Sequence, residues 1–147
     1  MTPRILFVLP AAALLAAGCA GTPKYEREGY AYGCPTGMEK KIGSKEALVK
    51  AKLEESGDIS YVEVTDVRCA ETPQSMRVEV DLVNTGSEEH RVAYRFRWLD
   101  KEGMAAATEE SWKPLMLYGK TRHTISTTSP SPDIADFRIM LRGIDKP

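Results

Sequence analysis

The sequence predicts a mainly β domain, an antiparallel β-sandwich, and two observations carry this prediction. Hydrophobic residues alternate with charged ones along residues 76–82 and again along residues 92–98, which is the period of a half-buried strand. Turn signals follow both segments, an Asn-Thr-Gly run at 84–86 and a charged run ending in glycine at 100–103. Several short strands with turns between them are typical of a sandwich or barrel.

Four further segments are strand-like. Residues 61–68 are rich in β-branched side chains, residues 122–128 are rich in threonine, and residues 137–141 alternate like the first two segments. Residues 112–118 are apolar but contain Pro114, which predicts an edge or irregular strand because proline cannot donate to a sheet ladder.

One segment, residues 44–55, has features of a helix. Ser44 is a suitable N-cap, Leu48 and Ala51 belong to a partial apolar stripe, and Gly57 supplies a stop signal. We expect a short amphipathic helix that packs on a sheet edge.

The N-terminal residues have the organisation of an export signal. Arg4 precedes an apolar stretch at residues 5–17, and small residues lead to Cys19. Residues 15–19 (LAAGC) resemble the lipobox of bacterial lipoproteins, in which the cysteine is lipidated and the preceding peptide bond is cut. A retained transmembrane helix is the weaker alternative because the stretch is short and contains Pro10. An ordinary signal peptide with a chance cysteine is the other.

The lipobox resemblance, the composition of the following residues and the strand pattern together predict the organisation of the chain. We expect a lipoprotein signal peptide at 1–18, a lipidated N-terminus and flexible tether at 19–40, and a β-sandwich domain at 41–147. Glycine and proline recur through the predicted tether, which lacks a helical or strand period. The residue after Cys19 is Ala20, not the aspartate that resembles an inner-membrane retention signal in enterobacteria. The expected location is therefore the outer membrane, facing the periplasm.

Composition argues against several classes of partner and chemistry. The formal net charge is −1, and a near-neutral surface is not that of a nucleic-acid-binding domain. His90 and His123 lie in separate segments without zinc-ligand spacing, so no metal site is predicted. No glycine-rich phosphate loop is present, and we expect no cofactor and no small-molecule substrate.

Adjacent carboxylates at 88–89 and 109–110 do not predict a catalytic dyad. Neighbouring residues of a strand point to opposite faces, so the two carboxylates of a pair would not converge. We expect both pairs to be solvated side chains in loops. Since no group of convergent catalytic residues is recognisable, we expect that the protein is not an enzyme.

The remaining cysteines, Cys34 and Cys69, are candidates for a disulfide. An exported chain meets an oxidising compartment, and the bridge would close a loop of about 35 residues, stabilising by roughly 3.8 kcal/mol in the chain-entropy account. The alternative is two free thiols, with Cys69 as a small buried residue at a strand end. Sequence alone leaves the two open, because it does not show whether the Cα atoms come within bridging distance.

The strand at 92–98 also supplies candidates for partner binding. Its aromatic residues should face the core, which leaves Arg95 and Arg97 on the opposite face. They either form solvated cross-strand ion pairs or are presented to a partner. Trp112 is either an interface anchor or a cover for the end of the core.

Three stretches together resemble a known family: residues 78–104 (VEVDLVNTGSEEHRVAYRFRWLDKEGM), 110–120 (ESWKPLMLYGK) and 127–142 (TTSPSPDIADFRIMLR). They are similar to the YcfL family of predicted periplasmic lipoproteins. The resemblance implies an Ig-like β-sandwich and a Gram-negative outer-membrane setting, with no assigned activity. Residues 34–57 do not match the family pattern.

Two functions follow as expectations. The favoured one is a lipid-anchored binding or accessory module that presents a sandwich face to another envelope protein or to peptidoglycan. The alternative is a structural or assembly component that self-associates through an edge strand. In both, the membrane is contacted through the N-terminal lipid.

Overall fold

The computed structural model describes residues 29–144; the predicted leader, Cys19 and most of the predicted tether lie outside those residues. The predicted β-sandwich is confirmed, with two sheets, a small hairpin and one short helix. The elements in chain order are β1 (Tyr30–Ala31), β2 (Cys34–Pro35), α1 (Lys45–Lys52), β3 (Leu53–Ser56), β4 (Val62–Glu71), β5 (Met76–Asn84), β6 (His90–Leu99), β7 (Lys113–Leu117), β8 (Arg122–Thr128) and β9 (Asp136–Gly143).

The two sheets have the orders β3-β9-β6-β7 and β4-β5-β8, and β1 pairs with β2. The chain therefore changes sheet four times, between β3 and β4, between β5 and β6, between β7 and β8, and between β8 and β9, which gives the crossing connections of an Ig-like sandwich. All pairings are antiparallel except that of β3 with β9, which is parallel. The sandwich is thus antiparallel as predicted, with one short parallel strand added at the β9 edge.

The core lies between the sheets and follows from the alternation in the strands. Buried side chains come from every second residue of the three central strands, namely Val78, Val80, Leu82, Val92, Phe96, Trp98, Phe137, Ile139 and Leu141. The Phe96 and Trp98 rings stack with centroids 5.5 Å apart, and both rings contact Phe137. These large apolar surfaces are the main source of stability of the domain.

The helix begins as predicted but ends earlier. The Ser44 Oγ accepts a hydrogen bond from the Ala47 N–H at 3.1 Å, so Ser44 is the N-cap. The predicted end at residue 55 is wrong, because residues 53–56 form β3 with Leu53 opposite Ile139. The free edge of β9 offers backbone partners, and this non-local pairing overrides the local helical preference.

The folded unit begins before the boundary predicted at residue 41. In β1 and β2, Ala31 lies opposite Cys34, and Cys34 is fully buried and bonded to Cys69 of β4. The structure thus contains the Cys34–Cys69 disulfide, one of the two alternatives that the sequence did not decide between. Gly33 has a φ of +79° and passes so close to β4 that a Cβ would lie 2.6 Å from the Cys69 carbonyl oxygen. Only glycine fits this approach without displacement.

A buried ion pair joins the helix to β9. Lys52 is 1% exposed and donates to Asp136, which also accepts from the Phe137 N–H and the Arg138 Nη1. The Lys52 ammonium also lies 5.3 Å from the Phe137 ring centroid. Burial lowers the pKa of Lys52, an effect that Asp136 opposes. The pair holds the C-terminal end of α1 against the start of β9.

Candidate partner-binding face

The outer face of the four-stranded sheet carries a concentration of positive charge. Because the apolar residues of β6 and β9 point inward, the residues between them point outward, and five of these are arginines. We call this surface the arginine face; its members are Arg91, Arg95, Arg97, Arg138 and Arg142.

Strand register brings these arginines close together. Arg97 lies directly opposite Arg138, while Arg142 lies opposite Ala93, two residues before Arg95. Like charges directly opposite each other in a sheet are destabilising, by up to about 1 kcal/mol. Carboxylates offset part of this repulsion: Glu54 lies 3.5 Å from Arg97 and Asp136 lies 3.0 Å from Arg138.

Trp112 packs against two members of the face. The Cζ atoms of Arg95 and Arg142 lie 4.5 and 4.2 Å from its ring centroid, within the range of cation–π contacts. The Nε atoms of both arginines are buried without a hydrogen-bond partner among residues 29–144. The indole ring therefore helps to position both guanidinium groups, and Arg95 is held in addition by an ion pair with Glu109.

The loop between β6 and β7 supplies two carboxylates with different roles. Glu110 accepts from the Trp98 Nε1 at 2.8 Å and from the Lys113 Nζ at 2.8 Å, so it holds the loop to the core. The expectation of a solvated loop carboxylate is wrong for Glu110, because the buried indole N–H needs an acceptor. Glu109 forms an ion pair with Arg95 while its own side chain is 57% exposed.

A small cleft adjoins the arginine face beside this loop. Its volume is about 310 Å³, and it is lined by residues 96–98 of β6 together with Ala105, Ala107, Thr108 and Glu109 of the loop. Glu109 thus contacts both the cleft and Arg95. The cleft has room for a side chain of a bound segment, not for a large ligand.

The structure brings together the three residues predicted as partner-binding, since Arg95 and Trp112 are in contact and Arg97 lies on the same face. Sequence reasoning missed Arg138, Arg142 and Glu109. The alternation of arginine with apolar residues in the last strand was a signal for the first two, but only the β6–β9 pairing places them beside Arg95.

On the outer face of the β4-β5-β8 sheet, positive and negative side chains pair with one another. Arg68 donates to Asp66 at 2.8 Å and to both oxygens of Asp81 at 2.9 and 3.0 Å, and Thr124 donates to Asp81 at 2.7 Å. Chiefly through the hydrogen bonds from Arg68, the pKa of Asp81 falls to about 2 and that of Arg68 is raised. The charges of Arg68, Asp66 and Asp81 therefore compensate one another, and the one oxygen of these side chains without a hydrogen-bond partner among residues 29–144, Asp66 Oδ1, is buried.

Within residues 29–144 no three histidine, cysteine or carboxylate side chains form a group that could hold a metal ion. His90 stacks on Tyr61 with ring centroids 5.1 Å apart, whereas His123 lies opposite Leu82 in the other sheet. In the described part of the chain, no helix is long and apolar enough to cross a membrane.

Fold and surface together define a small disulfide-bonded β-sandwich domain with five arginines on the outer face of one sheet. The model of the family described as "Protein of unknown function (DUF1425)" matches residues 50–143, and the chain belongs to this family. No enzyme family is indicated.

Two solved structures share the fold. A DUF1425 family member from Shewanella sp. pv-4 is 23% identical with a TM-score of 0.53, over 61% of this chain and 87% of that one. The cj0090 protein of Campylobacter jejuni is 19% identical with a TM-score of 0.51, over 63% of this chain and 97% of that one. No curated protein matches this chain.

Proposed function

We propose that this protein is a YcfL-like lipoprotein of the bacterial outer membrane that acts as a binding or accessory module, not as an enzyme. In this proposal Cys19 is lipidated, the domain faces the periplasm, and the arginine face is presented to an envelope protein or to the cell wall. The leader and its lipobox-like end support the anchor. The Cys34–Cys69 disulfide suits an oxidising compartment.

The arginine face is the observation that carries the proposal. Arginine and tryptophan are enriched at the energetic centres of protein interfaces, and here two arginines stack on one half-buried tryptophan. The face also places Arg97 opposite Arg138, an arrangement with a stability cost. A bound anionic partner would offset that repulsion.

The test is capture of partners by the acylated protein, cross-linked in the cell and purified from envelope extracts. We expect Arg95→Ala/Arg97→Ala to lose a partner that the wild type captures. Arg77→Ala/Arg122→Ala is the matched control, because these arginines lie on the other sheet with side chains 62% and 65% exposed. Equal capture by wild type and the face variant would overturn the proposal.

Self-association is the second candidate function, and the edge of β8 favours it. Within residues 29–144, β8 pairs with β5 on one side and with no strand on the other, and its seven residues contain no proline. Such an edge is a template for strand addition. Sedimentation velocity over a wide concentration range tests this: a dimer that Thr127→Pro abolishes supports it, and a monomer throughout rejects it.

A further inference from the structure

We propose that the partner contacts this protein through an extended, carboxylate-bearing protein segment that binds along Arg97, Arg95 and Arg142, beside Trp112. In the free protein, Glu109 holds the position of one partner carboxylate. This inference rests on the proposed function and adds the chemistry of the partner.

The type of cation on this face supports a carboxylate ligand. Arginines supply all the positive charges that β6 and β9 place there, and neither strand contains lysine. The planar guanidinium group matches a carboxylate with two parallel hydrogen bonds, which an ammonium group cannot do. Contact with the Trp112 ring restricts the side chains of Arg95 and Arg142, so that less conformational freedom is lost on binding.

The ion pair of Glu109 has the features of an exchangeable contact. Arg95 is only 15% exposed, but Glu109 is 57% exposed and belongs to a loop instead of a strand. Its neighbour Glu110 is bound on both oxygens, by Trp98 and Lys113, and so fixes the loop when Glu109 moves. Because Glu109 is exposed, an incoming carboxylate can reach this position and replace the charge that Glu109 supplies to Arg95.

The spacing of the arginines indicates an extended partner. Arg95 and Arg97 are two residues apart on one strand, a separation of about 6.8 Å. Alternate side chains of an extended peptide have the same separation. Glutamates at every second position of such a peptide would therefore meet successive arginines, while the 310 Å³ cleft beside Arg97 can receive a side chain.

The test uses the mature lipidated protein in neutral detergent and a synthetic decapeptide of alternating glutamate and threonine. The control peptide carries glutamine in place of glutamate. Binding is measured by titration calorimetry and by tryptophan fluorescence. Since Trp98 is 3% exposed, a fluorescence change reports on Trp112, which the Trp112→Phe variant verifies.

We expect the glutamate peptide to bind and the glutamine peptide not to bind. Arg95→Gln and Arg142→Gln should each weaken binding about tenfold, and Arg95→Lys by about threefold because it keeps the charge but loses the planar fork. Glu109→Gln should tighten binding by about threefold, since it removes the competing carboxylate. Arg77→Gln/Arg122→Gln should leave the affinity unchanged.

Equal binding of the two peptides, or an affinity insensitive to Arg95→Lys and Arg142→Gln, would overturn the inference. So would unchanged or weaker binding by Glu109→Gln. Glycerophosphoglycerol, the headgroup of an anionic lipid, is the competing probe; if it binds more tightly than the peptide, the face recognises phosphate instead. If the peptide fails while cross-linking in the cell still depends on Arg95 and Arg97, the carboxylate chemistry is wrong and the proposed function stands.

Discussion

Lys52 and Asp136 differ in the hydrogen-bond partners that each would keep if its ion-pair partner were substituted. Asp136 accepts from the Arg138 Nη1 and the Phe137 N–H in addition to Lys52. Among residues 29–144, Lys52 has no other hydrogen-bond acceptor than Asp136. Removing a partner from a buried charge costs several kcal/mol when nothing replaces it. The two partners of one ion pair should therefore differ in their sensitivity to substitution.

We predict that Asp136→Asn lowers the free energy of unfolding by about 3 kcal/mol and Lys52→Met by only about 1 kcal/mol. Urea denaturation of both variants measures the difference. Lys50→Met, at an exposed position of the same helix, is the control and should change stability little. Equal losses for the two variants would contradict the asymmetry.

The Asp81 carboxylate makes stability depend on acid pH. Its pKa is about 2 in the folded protein, below the usual 3.8, chiefly because Arg68 donates two hydrogen bonds to it. A lowered folded pKa means that the contribution to stability is complete above pH 3.8 and is lost as the pH falls toward 2. Since Arg68 is 41% exposed, solvent screening limits the effect to about 1–2 kcal/mol.

We predict that the free energy of unfolding of the wild type falls between pH 4 and pH 2 more steeply than that of Asp81→Asn. Chemical denaturation at a series of pH values measures both curves. Parallel curves through this window would show that Asp81 has no lowered pKa.

The hairpin β1–β2 is the element in which one glycine matters most. Gly33 and Gly29 both have positive φ, +79° and +80°, so alanine is strained at either position. They differ in surroundings: a Cβ at 33 would meet the Cys69 carbonyl oxygen, whereas a Cβ at 29 has no atom within 4 Å. Alanine substitutions at Gly29 and Gly33 therefore distinguish the cost of backbone strain from the cost of displacing the hairpin.

We predict that Gly29→Ala lowers the free energy of unfolding by about 1 kcal/mol and Gly33→Ala by about 3 kcal/mol. Urea denaturation of the oxidised protein measures both. If the two variants lose equal stability, the close approach of the hairpin to β4 is not a constraint on residue 33.

A comparison of predicted and observed elements shows which of them follow from the local sequence pattern. The threonine-rich strand at 122–128 has the predicted bounds, and the Ser44 N-cap is where the sequence places it. The helix end and β3 could not be predicted, because they depend on the free edge of β9, which is distant in sequence. The β1–β2 hairpin could not be predicted for a similar reason. Its strands of two residues are too short to show a period, and the disulfide that attaches the hairpin to β4 joins residues distant in sequence.

At the scale of the whole molecule, we expect the arginine face to lower the free energy of unfolding while it serves partner binding. Neutralising Arg97 removes the repulsion with Arg138 and also the weak ion pair with Glu54. We predict that Arg97→Gln leaves the free energy of unfolding unchanged or raises it by up to about 0.5 kcal/mol, while partner capture falls. Thermal denaturation beside the cross-linking assay measures both. A loss above about 1 kcal/mol would make Arg97 a structural residue.

The proposed anchor is also a property of the whole molecule. Ten residues separate Cys19 from Tyr30, and a fully extended chain of that length spans at most about 36 Å, so the domain would stay close to the bilayer. We predict that Cys19→Ser abolishes partitioning into the detergent phase, since acyl chains supply the membrane affinity. Phase separation followed by immunoblotting measures this. Unchanged partitioning would reject lipidation at Cys19.

The sequence by itself determined the six strands β4 to β9 and, where apolar and charged residues alternate, which side of the strand is apolar, because the period of two is a local property of the chain. It therefore placed Arg95 and Arg97 on an outward face without any knowledge of the neighbours. Tertiary structure decided the parallel edge strand, the disulfide, and the meeting of Arg95, Arg142 and Trp112 on one surface. Alternation is compatible with many partners and with register shifts of two residues, so only the packing of distant strands selects one arrangement.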